Sequence, residues 1–270
     1  MRLGVNSVLF GGHDPRTAFQ HIKWAGYDGV EISALDGVGA FGDPLGEHLH
    51  LADWRADAAL ICELREEFDL PVSAMEVGPL DEVRIRQAFE AAEALGIPII
   101  NVGPSGKSGV VEDFAACIAR LAALAEEAAA RGLCLCVKAH IGTSIYNTAT
   151  TLQAMAEIDS PGLGIDMDPS HIYRGGEEPR DALKHVISRV RHVHIRDSGA
   201  GPGPGKAEEQ ACGRGEIDLF GYCRVLMEAG YDGPVNLEII GASQYPVSRS
   251  AIIAAESIGY LKAVEASLRR

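Results

Sequence analysis

The chain has no Cys-x-x-Cys pair, no Gly-x-Gly-x-x-Gly after its first apolar strand, and no apolar run approaching the ~18 residues of a membrane span. Each absence removes a class of protein. Its six cysteines (Cys62, Cys117, Cys134, Cys136, Cys212 and Cys223) form neither a disulfide scaffold nor a spaced zinc pair, so free thiols in a reducing compartment are expected. No dinucleotide fingerprint follows the first strand, and Gly-Pro-Ser-Gly-Lys-Ser-Gly (103–109) fails as a nucleotide loop because Asn101 stands where a glycine is required. Basic side chains are few: 24 Lys and Arg against 38 Asp and Glu give 24 − 38 = −14, which argues against a nucleic-acid partner. Met1 to Phe10 lacks the basic start and apolar core of a secretion signal, so the expected location is cytoplasmic, with no membrane partner.

What is present is ordinary globular material, 47 % hydrophobic and 23 % charged over 270 residues, with no linker or composition break. A single domain over 1–270 is expected. Ala-, Leu- and Glu-rich helical stretches alternate with short apolar strands, predicted at 3–9, 29–33, 72–77, 97–103, 134–140, 163–168, 191–197 and 235–240. Apolar spacing of three and four predicts helices at 17–25, 52–68, 83–95, 111–131, 148–158, 180–188 and 219–229, and a closing helix at 248–268. Two units share their wording: Ala-Gly-Tyr-Asp-Gly-Val-Glu-Ile (25–32) returns as Ala-Gly-Tyr-Asp-Gly-Pro-Val-Asn-Leu-Glu-Ile (229–239). Eight strand–helix units predict an α/β fold, a single (β/α)8 TIM barrel with its site at the C-terminal ends of the strands. The long connections 34–51 and 198–217, the second carrying Gly-Ala-Gly-Pro-Gly-Pro-Gly, are candidate lids.

The strand ends carry the chemistry. Residues two apart on a strand share a face, so Lys138 and His140, Asp166 and Asp168, His192, His194 and Arg196, and Asn236 and Glu238 all fall on what can be one inner face. A structural barrel layer would place Val, Ile or Leu there, and unpaired buried charge is costly, so function is the economical explanation. Imidazole with carboxylates is a ligand set for Mn²⁺, Co²⁺, Zn²⁺ or Mg²⁺, whose task would be to polarise a carbonyl. Pro169 ends the strand at Asp168 and predicts His171 in the loop beyond it.

Asp-Met-Asp-Pro-Ser-His (166–171), His-Val-His-Ile-Arg-Asp (192–197), Gly-Arg-Gly-Glu-Ile-Asp (213–218) and Gly-Tyr-Asp-Gly-Pro-Val-Asn-Leu-Glu (230–238) resemble the successive signatures of the xylose-isomerase-like TIM-barrel superfamily. Within it they are most similar to the sugar phosphate isomerases and epimerases. The resemblance implies that Asp168, His194 and Glu238 bind metal, that His171 sits beside the substrate, and that Glu238 doubles as an acid/base. It also implies proton abstraction beside a carbonyl through an enediolate on a small sugar, polyol ketone or sugar phosphate. A dehydratase or other lyase would use the same site. Homo-oligomers are common among such relatives, although no motif here marks one.

The chain departs from that pattern at Lys138, where the family's strand 5 usually supplies a glutamate. A protonated lysine cannot ligate a cation. It can pair with Asp166 or Asp168 and leave His140 as a replacement ligand, its ammonium can replace the metal as acid/base or Schiff-base nucleophile, or the site can be a non-catalytic sugar-binding barrel. Retention of Asp168, His194 and Glu238 tips the expectation toward a bound metal. Glu31, Glu76, Asn101, Lys107 and Arg196 are candidate substrate-binding residues, Lys107 as a counter-charge on the 103–109 loop. Trp24 and Trp54 are expected to pack, and Asp197 to orient a neighbouring loop. Apurinic endonuclease chemistry, also found in the superfamily, is argued against by the charge and by Glu76 and Asn101 standing where extra histidines would be needed.

Overall fold

The computed structural model describes residues 1–39, 42–199, 201 and 203–270. Eight parallel strands pair in sequence order and close on themselves: β1 (Arg2–Asn6), β2 (Gly29–Ser33), β3 (Val72–Pro79), β4 (Ile99–Gly103), β5 (Cys134–Lys138), β6 (Leu163–Met167), β7 (Val190–Ile195) and β8 (Pro234–Leu237). Around them run α1 (Pro15–Ala25), α2 (Trp54–Phe68), α3 (Glu82–Leu95), α4 (Val111–Ala130), α5 (Thr148–Glu157), α6 (Pro169–Arg174), α7 (Pro179–Val186), α8 (Leu219–Glu228) and α9 (Val247–Leu268). This is the (β/α)8 barrel that the alternation implies.

Local chemistry sets the element ends. Asp14 caps α1 by accepting from the Thr17 N–H at 2.9 Å, Pro15 supplies the fixed first φ, and Gly26 takes φ 91° at the other end. The predicted first strand stops early, because the Asn6 side chain accepts from the Val8 N–H at 3.0 Å and turns the chain into a 3₁₀ helix, Ser7–Phe10. His171 lies not in a loop but on α6, which Asp168 caps through the Ser170 N–H at 2.8 Å with Pro169 as its first residue. Strands β5, β6, β7 and β8 end at Lys138, Met167, Ile195 and Leu237, so the alternation does not extend to His140, Asp168, Arg196 or Glu238, which lie one or two residues past the strand ends.

The main apolar core lies between barrel and helices, with Phe19, Ile61, Phe89, Leu121 and Leu261 fully buried on helix faces turned to the strands. Trp54 joins it at 8 % exposure, whereas Trp24 is 69 % exposed and stands edge-on to His21, so the expectation that both tryptophans pack holds for one. Inside the barrel, Ala74, Ile99, Cys134 and Cys136 form a small apolar plug. The next inward positions on those strands are Glu76, Asn101 and Lys138, one step nearer the C-terminal mouth. All six cysteines are free.

The plug depends on Gly164, since a methyl there would lie 2.6 Å from Cys136 Sγ and 2.8 Å from Cys134 Sγ. Gly164→Ala is expected to cost about 1–3 kcal/mol through overpacking, read as a lower urea midpoint at unchanged slope.

Candidate active site at the barrel mouth

The inward residues build a polar column from the plug to the mouth. Lowest is Asp166 on β6, whose Oδ1 accepts from His192 Nδ1 at 2.8 Å and from the His194 backbone N–H at 3.1 Å, while its Oδ2 lies 2.8 Å from His194 Nδ1. His194 Nε2 donates to Glu31 Oε2 at 2.6 Å, and Asn101 Nδ2 donates to Glu31 Oε1 at 2.5 Å. Asn236 donates to His192 Nε2 at 2.7 Å. All six of these side chains are sealed from solvent. Burial alone would lower the His194 pKa, but Asp166 and Glu31 more than offset it and hold an imidazolium. Burial would likewise raise both carboxylates; His194 and His192 offset it and keep Asp166 and Glu31 below the usual range.

Above this layer lies Lys138. Its Nζ is 2.9 Å from Glu76 Oε1, 2.8 Å from Glu238 Oε1 and 3.1 Å from His194 Nδ1. The burial that would discharge the amine is outweighed by Glu238 and Glu76, so Lys138 stays charged. It therefore cannot act as a free-amine base or Schiff-base nucleophile while so paired. Its expected partners were Asp166 and Asp168. Lys138 and Asp166 do stand side by side in the β5–β6 register, but Asp166 Oδ1 is engaged by both histidines and Oδ2 lies against His194, and the long side chain reaches across the barrel to Glu76 on β3 and to Glu238 just past the end of β8 instead.

Glu76 and Glu238 share the ammonium but differ in state. Burial and the neighbouring Glu238 charge push Glu76 up to about 8, Lys138 offsetting only part of this, while Asn6 Nδ2 donates to its Oε2 at 2.6 Å. Burial would raise Glu238 too, yet Arg196 and Lys138 hold it well below the usual carboxylate range. At neutral pH the pair is one carboxylic acid and one carboxylate. Glu238 Oε2 lies 3.2 Å from Arg196 Nη2 but accepts no aligned hydrogen bond among the described residues.

Arg196 is held from two sides: Nη2 reaches Asp168 Oδ2 at 2.9 Å, and Nε donates to Ser170 Oγ at 2.8 Å. His171 meets Arg196 Nη2 through Nε2 at 3.2 Å and Arg174 Nη2 through Nδ1 at 3.2 Å; burial and the adjoining cationic groups keep it neutral. These side chains open into a cavity of ≈ 470 Å³ whose floor is Glu76, Lys138, Arg196 and Glu238, and whose rim includes His140, Arg174, Leu35, Val38 and Pro204. Its size suits one small ligand. Both long connections contribute to the rim, although Ala40, Phe41, Ala200 and Pro202 within these candidate lids lie outside the described residues. Asp197 ties the second connection down by accepting from the Gly213 and Ile217 N–H groups at 3.0 and 3.1 Å.

Two groups of three side chains bring ligand atoms within 4.8 Å of one another: Glu31, His192 and His194, and Glu76, His194 and Glu238. Of the four residues expected to hold metal, His194 belongs to both groups and Glu238 to one. Asp168 belongs to neither, because it pairs with Arg196 and caps α6. Nor does His140, which lies beyond the end of β5 with Nδ1 bonded to the Ile141 carbonyl at 2.9 Å and its ring 4.1 Å from that of His171. The second group does not fit an ion as it stands, since Lys138 Nζ already contacts all three of its residues. The first does not fit either: each ring nitrogen is committed to a neighbour, and none of the three residues lines the cavity.

Among the expected substrate residues, Glu76 and Arg196 line the cavity. Glu31 and Asn101 lie under Lys138 and orient His194. Lys107 is solvent-exposed and does not line the cavity, its backbone N–H held by Asp113 at 2.8 Å. Asn6 and Arg174 were missed: the first was absorbed into an apparently continuous strand, and the second followed a proline taken to open a loop.

Comparison with known proteins adds relatives to this geometry. A family model described as xylose isomerase-like TIM barrel matches residues 19–264. The chain is 23 % identical over 254 residues to a ketose 3-epimerase of Arthrobacter globiformis, covering 90 % of this chain and 85 % of the relative. It is 24 % identical over 269 residues to a 3-dehydroshikimate dehydratase of Pseudomonas aeruginosa, covering 97 % of this chain but 42 % of that protein, so it spans less than half that relative's length. A crystal structure of the IOLI protein with a zinc atom superposes with a TM-score of 0.76 at 17 % identity, over 98 % of each chain, and shares the fold.

Asp166 holds two histidines that no solvent reaches. Asp166→Asn is expected to destabilise the fold by about 3–5 kcal/mol in chemical denaturation, the cost of removing one partner from a buried ionic network.

Proposed function

This chain belongs to the xylose isomerase-like TIM barrel family, and we propose that it is an isomerase or epimerase that moves a proton at the carbon beside the carbonyl of a small polyhydroxylated ketone or its phosphate. The observation that carries the reading is the pair Glu76 and Glu238, both facing the cavity floor and both bonded to Lys138.

The two carboxyl groups divide the work by their states. Glu238, ionised and with an oxygen free of aligned donors, takes the proton from the carbon. Glu76, protonated at neutral pH, returns a proton from strand β3, on another side of the cavity. In an epimerisation that proton goes to the carbon from the opposite face. The C–H electron pair moves into the enolate as the proton leaves and returns to form the new C–H bond, so the reaction needs no oxidant. His171 and Arg196 line the same cavity and can bind hydroxyl groups of the substrate.

A second reading is dehydration. Here the Glu76 proton goes to a departing β-hydroxyl, the enolate pair forms the new C=C bond, and water leaves. The raised proton affinity of Glu76, which suits an acid for a leaving group, and the similarity to a dehydratase favour it. Both readings share the first proton transfer.

The test is incubation with ketoses, ketose phosphates and keto-polyols in deuterated solvent, with exchange at the carbon beside the carbonyl followed by NMR. Exchange is expected, and Glu238→Gln should slow it about 10²–10⁴-fold. A new sugar stereoisomer identifies the epimerase; a conjugated enone absorbance identifies the dehydratase. Turnover should decline as pH rises through about 8, where Glu76 loses its proton, and Glu76→Gln should lose turnover while retaining exchange. Tight sugar binding without exchange across the whole panel would overturn the catalytic reading.

A further inference from the structure

We propose that Lys138 and Arg196 stand permanently where a divalent ion would be held, and that this chain acts on its substrate's carbonyl oxygen without a metal. The catalytic half of this rests on the proton-transfer reading above; the metal half stands on geometry alone.

The carboxylates that could ligate an ion are already turned onto cations of the chain. Asp168 Oδ2 is 2.9 Å from Arg196 Nη2, Glu238 lies 2.8 Å from Lys138 and 3.2 Å from Arg196, and Glu76 lies 2.9 Å from Lys138. With His194 Nδ1 also 3.1 Å away, the three side chains a metal would draw on are gathered around the ammonium, two of them, Glu76 and Glu238, accepting its N–H bonds. A zinc-sized ion needs about 2.0–2.2 Å to such nitrogens and oxygens, so within this group it would fall on the ammonium.

Charge balance gives the same answer. Glu238 at the floor and Asp168 behind Arg196 contribute two negative charges, and Lys138 and Arg196 contribute two positive ones, with relative exposures of 3 %, 2 %, 5 % and 1 %. A divalent ion would add two charges that no further ionised carboxylate at this level compensates. The lower histidine group offers no alternative, since its ring nitrogens are committed and no cavity reaches it.

Two fixed cations can supply what the chemistry requires. An enolate oxygen forming at this floor is stabilised by positive charge placed beside it. An ammonium and a guanidinium bracketing Glu238 at the cavity floor provide that charge from both sides. The isomerisation needs no change of oxidation state at any metal.

The test begins with metal content. Protein purified without chelator should carry well under one equivalent of Mn, Co, Zn and Fe together, and Mn²⁺ titration followed by electron paramagnetic resonance should show no saturable binding. Lys138→Glu removes the ammonium and adds a carboxylate, and should take up one Mn²⁺. If that variant does not fold, Lys138→Gln should still show saturable Mn²⁺ binding where the wild type shows none. Stoichiometric metal in the wild type, or a folded Lys138→Glu protein binding no better than wild type, overturns the substitution of the ion. These readouts need no substrate, so they fail independently of the proton-transfer reading. Wherever isotope exchange is detected, it should survive chelation; loss on chelation with restoration by added metal also overturns the proposal.

Discussion

The structure turns on one ammonium group in the middle of a closed barrel. A lysine there would lose its proton if burial acted alone, and two glutamates beside it would stay protonated if burial acted on them alone. Together they settle on a mixed state: a charged lysine, an ionised Glu238 also held by Arg196, and a protonated Glu76 that receives too little compensation. Nothing in this set can be removed singly without leaving its neighbours unpaired in a dry interior. That is why the polar column extends without a break from Asp166 through His194 and Lys138 to Arg196 and Asp168.

The same constraint divides the site into a supporting half and a reacting half. Glu31, Asn101, Asp166, His192 and Asn236 have no access to the cavity; they fix the ring of His194, which in turn meets the ammonium. Glu76, Glu238, Lys138 and Arg196 face the cavity and carry the groups able to move protons or hold charge. A carbonyl entering that floor meets two cations, one acid and one carboxylate within a few side-chain widths. The proposed proton transfer draws on that composition, whichever bond is then made or broken.

The scaffold serves this arrangement in small ways. Gly164 and the cysteine plug keep the lower barrel filled with slim side chains, so the polar layer above sits at a fixed height. Asn6 turns the chain after β1 and with the same side chain holds Glu76, coupling a strand end to the acid of the site. The short helix α6, begun by Asp168 and Pro169, places Ser170 and His171 against Arg196. Asp197 anchors the connection that contributes Pro204 to the rim.

By itself the sequence determined the barrel, its strand order and the identity of most floor residues, because strand periodicity and helix caps are local and repeat along the chain. It placed Lys138, Glu238, His194 and Arg196 on inner faces, and it marked Lys138 as the residue out of pattern. Tertiary structure alone decided who pairs with whom. Alternation says that Lys138 points inward; it does not say that a long side chain crosses the barrel to Glu76 and Glu238 while the adjacent Asp166 is taken by two histidines. Nor does it say that β5 and β6 stop before His140 and Asp168, freeing those side chains from the strand rule. Charges from six strands compete for partners at the axis of a closed barrel, and the winning pairs depend on distances across that axis, which no local pattern records.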